Sequence, residues 1–299
     1  MSDYMQGVII LLGINMIAVL GMSILTGFTR LFSFGNAGFM SIGAYAAAIM
    51  LTKAHAPFVL SIIMGAALAG VIGNYLGALT LKLKGDYFLI TTLGFGECVR
   101  VLFEYIEPIT GGAKGYVGIP KVTNIWYVLA GVILAFIFAW NLIHSKYGRN
   151  LTAIREQEVA AEAVGVDTAK FKRLSFVVSA VFAGCAGALY AGNLTFIEPK
   201  MFNLAKSSEL TITTVIGGLG SLTGSCLGTA VVTLLPEIFR SMANYRMLLY
   251  GIAVVLVIVL KPAGLYGYRE FSITRVIRQV RRLFNKNTAA PDPKGGGGS

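Results

Sequence analysis

Glu97, Arg100 and Glu104 are spaced i, i+3 and i+7 inside an apolar stretch. On a helix they share one face and can pair. Glu237 and Arg240 repeat the Glu-x-x-Arg spacing in the second half of the chain. Ionisable groups within a membrane segment are costly, so they mark pathways or paired struts. Two uses fit these groups: an ion-paired helix end or bundle strut, or a polar outer mouth that receives a substrate or docks a partner protein. Catalysis needs a nucleophile, a base and an orienting group that converge. The chain has only two histidines, His55 and His144. The charge distribution described below places them on opposite sides of a membrane, against a His-paired triad or a two-His metal site. Asp3, Asp86 and Asp167 fall at ends or in loops, so no intramembrane aspartate pair arises. No Gly-x-x-x-x-Gly-Lys-Ser/Thr phosphate loop occurs. Any ATP used must therefore be bound by another chain, and no metal or cofactor is expected.

A second set of residues would act through the backbone. Gly217-Gly-Leu-Gly-Ser-Leu-Thr-Gly-Ser225 lies at the centre of apolar stretch 207–239, which is too long for one straight crossing, since a spanning helix needs about 20 residues. Gly217, Gly218, Gly220 and Gly224 predict positive φ or close backbone approach. Non-helical backbone at membrane depth survives only where protein buries it or it lines a water-filled cavity. This segment therefore belongs to the bundle interior. The polar stretch 145–173 carries six Lys/Arg. Asn150 is expected to cap a helix running to about Val164, which Gly165 ends. Ala153, Ala160, Ala161 and Ala163 favour that helix. It is either a solvated connector or a docking helix for a partner protein.

Composition sets the frame for these residues. Of 299 residues, 56% are hydrophobic and 13% charged, with mean hydropathy +0.72. Soluble domains carry about 25% charged residues, so this chain is a polytopic membrane protein. The alternating segments of a barrel are absent. Apolar runs at about 8–28, 37–51, 58–81, 87–105, 125–143, 174–194 and 247–260 each suit one helix. Stretch 207–239 crosses twice or forms a re-entrant hairpin. The expected fold is an all-α membrane bundle of about nine crossings, or seven plus the hairpin. Net charge is +11, concentrated in 145–173 and in the tail 269–286. By the positive-inside rule both are cytoplasmic, as are Arg30, Lys82 and Lys84. The N-terminus is then outside and the C-terminus cytoplasmic. The first residues lack the positive n-region of a signal peptide.

Gly65, Gly70, Gly73 and Gly77 are expected to pack helices closely, whereas Gly35, Gly38 and Gly43 either pack or line the pathway. Cys98, Cys185 and Cys226 read as packed thiols. Residues 1–268 form the membrane unit and 269–294 a basic tail. Arg269, Arg275, Arg278, Arg281, Arg282 and Lys286 suit anionic lipid at about 1 kcal/mol each; nucleic acid is not expected. Residues 295–299 read as a linker outside the fold.

Several sequence blocks, in order, resemble the branched-chain amino-acid permease family of ABC importers. They are Ser33-Phe-Gly-Asn-Ala-Gly-Phe-Met-Ser-Ile-Gly-Ala-Tyr45, Gly85-Asp-Tyr-Phe-Leu-Ile-Thr-Thr-Leu-Gly-Phe-Gly-Glu97 with Arg100, and Thr110-Gly-Gly with Gly118-Ile-Pro120. Further blocks are Gly148-Arg149 with Ala153-Ile-Arg-Glu156, Ala183-Gly-x-Ala-Gly-Ala-Leu-Tyr190, Gly217-Gly-x-Gly-Ser221 and Pro262-x-Gly-Leu265. The nearest branch is the M-type permease of high-affinity leucine, isoleucine and valine importers. Permeases for urea or short amides are similar and stay open, as does, more remotely, a stand-alone secondary transporter.

The resemblance implies a homologous second permease, two ATPase subunits, a periplasmic binding protein and a place in a bacterial inner membrane. Ala160-Ala161-x-x-x-Gly165 resembles the ATPase-docking loop of such permeases. Val159 stands where a Glu is usual, and the downstream Ile-x-Leu-Pro is missing. The implied coupling residues are Arg149, Ala153, Arg155, Glu156, Ala160, Ala161 and Gly165. Candidate pathway or gate residues are Gly35, Asn36, Gly38, Glu97, Arg100, Gly217, Gly218, Gly220, Glu237 and Arg240.

Overall fold

A computed structural model describes residues 3–83, 85–238, 246–261 and 264–265. Lys84, Arg240, the basic tail and the 295–299 linker lie outside the described residues. Helix α1 (Asp3–Met22) continues as a π-helical turn, Ser23–Gly27. It is followed by α2 (Asn36–Thr52), α3 (Phe58–Thr80), α4 (Asp86–Tyr105), the short α5 (Glu107–Thr110) and α6 (Ile125–His144). Two short helices, α7 (Lys146–Glu156) and α8 (Glu158–Ala163), lead into α9 (Thr168–Asn193). The last described helices are α10 (Leu204–Gly217), α11 (Leu222–Ile238) and α12 (Arg246–Leu260). Two-residue strands β1 (Tyr116–Val117) and β2 (Phe196–Ile197) pair antiparallel and tie two loops together. The fold is all-α, as composition predicts. Among the described residues, four helices are long and apolar enough to cross a membrane: Tyr4–Gly27, Phe58–Thr80, Ile125–His144 and Thr168–Asn193.

Helix α9 is the hub, packed by α1, α2 and α3. Lipid tails are as apolar as leucine, so close packing rather than water exclusion drives helices together. Glycines permit that approach here. A Cβ on Gly43 would lie 2.5 Å from the Gly184 Cα, and one on Gly184 would lie 2.9 Å from the Gly65 carbonyl oxygen. Gly70 meets Val181, Gly73 meets Ala180 and Gly77 meets Phe176, so the expected packing stripe of α3 is seen against α9. The opposite faces of α3 and α6 leave large side chains such as Ile63, Leu79, Trp126 and Leu134 exposed. Such faces suit lipid as the solvent.

The ends of the bundle are distinct. Residues 29–32, 81–83, 85–86 and 154–159 line one cavity of about 660 Å³, which brings Arg30, Lys82, Asp86, Arg155 and Lys172 together. Elsewhere, Thr52 hydrogen-bonds the Tyr116 hydroxyl, and Tyr116 faces Ile197 across the strand pair. The three loops assigned to one side from their charge are thus gathered at one end.

Three expectations need correction or refinement. Stretch 207–239 is two helices broken at 218–221, and the first begins earlier, at Leu204. The single helix expected over 150–164 is instead α7 and α8. Ser145, not Asn150, caps α7: its Oγ accepts from the Tyr147 N–H at 3.1 Å. Helix α6 ends at His144, so the first free amides belong to 146–148 and Asn150 falls inside the helix. Cys98 is exposed rather than packed, because it lies on an outward face of α4, whereas Cys185 and Cys226 are half-buried.

Candidate functional site

The α7–α8 loop is amphipathic on a small scale. Gly148, Leu151 and Ile154 bury one face of α7 against the bundle. Gln157 is extended (φ −158°, ψ 108°), which ends α7 and re-aims the chain into α8. Gly165 then closes α8 with φ +86°. Its N–H donates to the Glu162 carbonyl at 2.9 Å, and the Val166 N–H to that of Ala161 at 3.0 Å. This is a left-handed cap of the kind glycine favours. Thr168 Oγ1 donates to Glu162 Oε1 at 2.6 Å, and Lys172 pairs with Glu158, so α8 is pinned to α9. Ala161 is buried. Ala160 faces outward beside Val159 (73% exposed) and Val164 (79% exposed). Of the predicted coupling residues, Arg149, Ala153, Ala160 and Gly165 are exposed, and Ala161 is part of the loop's own packing.

Arg155 points the other way. Its Nη2 and Nε donate to Glu156 Oε1 at 2.8 and 3.1 Å, and that bond holds the Glu156 carboxyl below its usual pKa. Its Nη1 reaches the Gly27 carbonyl at 3.5 Å, and the guanidinium lies over the Phe28 ring at 5.9 Å. A Cβ on Gly220 would sit 3.7 Å from Arg155 Cζ and closer still to Nη1. The side chain is 12% exposed. One residue therefore joins the surface loop, the end of α1 and the glycine-rich break. The π-turn Ser23–Gly27 is buried throughout, and π-turns inside helices often mark functional positions.

The break itself depends on glycine. Gly218 has φ +121° and Gly220 φ +91°, conformations that a Cβ disfavours. A Cβ on Gly217 would lie 2.6 Å from the Gly224 carbonyl oxygen, and one on Gly27 would lie 2.6 Å from the Gly220 nitrogen. Ser221 Oγ accepts from the Gly224 N–H at 3.1 Å and starts α11. Ser225 Oγ donates to Ser23 Oγ at 2.9 Å, tying α11 to the π-turn. Beyond α12, the Leu265 N–H donates to the Ile216 carbonyl at 2.8 Å.

Asn36 is buried, with its amide on Met22 Sδ and its Oδ1 accepting from Ser179 Oγ at 3.2 Å. The Ala37 N–H donates to Ser207 Oγ at 3.0 Å, so the first turns of α2 and α10 meet. Gly35 and Gly38 pack against Thr92 and Gly96 of α4. Arg100 bonds Glu97 at 2.7 Å and Glu104 at 3.1 Å, the pairing its spacing predicts. The pair faces an open cavity of about 410 Å³ shared with Lys200, Asn203 and Leu204. Glu237 accepts from the Tyr4 hydroxyl, apart from that cavity. One charged group escaped the sequence reading. Lys206 pairs with Glu209 on α10, and the signal was a Lys-x-x-Glu spacing just before an apolar run.

The family model described as the permease component of branched-chain amino acid transport systems matches residues 4–260. The chain is 32% identical to the high-affinity branched-chain amino acid transport system permease protein LivM of Escherichia coli K12, over 84% of this chain and 67% of that protein. A probable branched-chain amino acid transport permease of Methanocaldococcus jannaschii is 25% identical over 75% of this chain and 74% of its own length. An autoinducer 2 import permease, LsrC of Klebsiella pneumoniae, is 24% identical over 65% of this chain and 60% of that protein. No solved structure matches. A bundle of apolar helices, a broken helix in its interior and these matches lead to one assignment: the chain is a multi-pass membrane protein and belongs to the family of branched-chain amino acid transport permease components.

Proposed function

We propose that the chain forms part of the membrane pathway for leucine, isoleucine and valine in an ATP-driven importer of a bacterial inner membrane. A homologous permease completes the pathway, two ATPase subunits bind the cytoplasmic face, and a periplasmic binding protein delivers the amino acid. The chain crosses about nine times, with α10 and α11 as two short crossings. Its N-terminus is outside and its C-terminus inside. Gathering of Arg30, Lys82, Arg155 and Lys172 at one end supports that orientation by the positive-inside rule. Residues 1–268 are the membrane unit, and the basic residues of 269–294 meet anionic headgroups.

The observation that carries this reading is the double contact of the α7–α8 loop. Its exposed apolar edge, Ala160 and Val164 with Val159 at the rim of the basic cavity, suits a groove on an ATPase. Its Arg155 faces inward, onto the π-turn and the Gly218–Ser221 break. Displacement of the loop by nucleotide-driven motion would thereby reach a backbone hinge inside the bundle. Glu97 and Arg100 line the outer mouth, where paired charges offer weak complementary contacts to a zwitterion. Transport needs sites weak enough to release their cargo.

Ala160→Arg tests the docking edge, because the substitution projects outward and leaves the bundle packing intact. Uptake by the complete complex should fall at least tenfold, while the permease itself still purifies folded. Undiminished uptake would remove the docking role. Ala161→Arg is the poorer probe, since Ala161 is buried and its replacement would unfold the loop.

A further inference from the structure

Lys206 and Glu209 sit where an exposed charge pair has no ordinary place. Lys206 Nζ pairs with Glu209 Oε2 at 3.1 Å and donates to Asn15 Oδ1 at 3.1 Å. Asn15 is at the middle of the 24-residue span Tyr4–Gly27. At 1.5 Å per residue it lies about 17 Å from either end. The Lys206 and Glu209 side chains keep 19% and 38% of their surface exposed. Hydrocarbon does not tolerate that exposure. Ionisable groups at this depth face the bundle interior or a water-filled cavity. The cavity bounded by Glu97, Arg100 and Lys200 reaches Leu204 and Ala205, one turn before Glu209. One turn on from Glu209, and adjacent to it on the α10 surface, Ile212 is half-buried. A cation, an anion and an apolar side chain thus follow one another along α10, starting beside the outer cavity.

We infer that Lys206, Glu209 and Asn15 form a mid-depth site for a zwitterionic α-amino acid with an aliphatic side chain. Lys206 takes the carboxylate, Glu209 the ammonium, and Ile212 meets the side chain. When the site is empty the two charges satisfy each other, and Asn15 fixes the lysine. The arriving zwitterion replaces that internal pair with two equivalent ones, so binding is weak and reversible. The site rests on the permease reading above, of which it names the interior contact.

The test uses the complete complex in sealed vesicles, with Cys98, Cys185 and Cys226 replaced by serine. Lys206→Cys and Ile212→Cys should react with a membrane-impermeant methanethiosulfonate added from the binding-protein side. Leucine-loaded binding protein should slow that reaction at least fivefold, and empty binding protein should not. In the native background, Lys206→Met and Glu209→Gln should each slow leucine uptake at least tenfold with the binding protein saturating. Lys206→Arg should restore much of the rate, and complex yield should be unchanged. No labelling at either cysteine would mean that lipid or the partner permease covers this face, and would overturn the site. Labelling that leucine leaves unchanged would also overturn it. Absence of leucine uptake by the unaltered complex would instead refute the permease reading itself, which keeps the two failures apart.

Discussion

Gly220→Leu should abolish uptake, with a residual rate below about one hundredth, while ATP hydrolysis by the assembled complex continues. Two effects add at this residue. A side chain at φ +91° is strained, and such conformations cost of order 1–3 kcal/mol. The new Cβ would also fall on the Arg155 guanidinium and 3.4 Å from the Gly27 carbonyl oxygen. The leucine side chain therefore pushes the loop's inward contact off the break. Hydrolysis and uptake measured on the same purified complex separate this outcome from misassembly. Gly220→Ala should do less, and combining it with Arg155→Ala should cost less than the two single effects added, because the displaced guanidinium is then already absent. Full uptake by Gly220→Leu would make 218–221 a mere connector.

Gly43→Leu should prevent accumulation of the folded bundle altogether. A Cβ there meets the backbone of Gly184, with the Cα at 2.5 Å, and the same crossing brings Gly184 against the backbone of α3. Overpacking a core costs about 1–3 kcal/mol where side chains can move aside. Here the obstacle is main chain on both sides, so α2, α3 and α9 would have to separate. Gly94→Ala is the matched control, since nothing lies within 4 Å of its Cβ position. Yield and thermal stability of the purified complex should drop for Gly43→Leu and stay unchanged for Gly94→Ala. Equal yields would mean that the three-helix crossing is not what holds the bundle.

The parts of this architecture legible in the sequence are those set by short spacing. The i, i+3, i+7 pattern predicts the Arg100 pairs with Glu97 and Glu104, and both form. Four glycines within 217–224 predict a broken helix, and it breaks at 218–221. What escaped depends on contacts between distant residues. The division into α7 and α8 follows from where α6 ends and from the pinning of α8 by Lys172 and Thr168, which local helix propensity does not encode. The inward aim of Arg155 requires Gly27 and Gly220 to meet, 193 positions apart in sequence. Lys206 falls one residue before the apolar stretch 207–239, and its partner Asn15 lies 191 positions away in sequence.

The central claim is that this chain conducts branched-chain amino acids when ATPases move its cytoplasmic loop. It is tested most directly by radiolabelled leucine uptake into proteoliposomes holding the chain, its second permease and the ATPase subunits, with binding protein outside and ATP inside. The expected result is uptake that requires ATP, is competed by isoleucine and valine, and is indifferent to excess urea. Uptake that proceeds without the ATPases, or that urea but not valine suppresses, would contradict it.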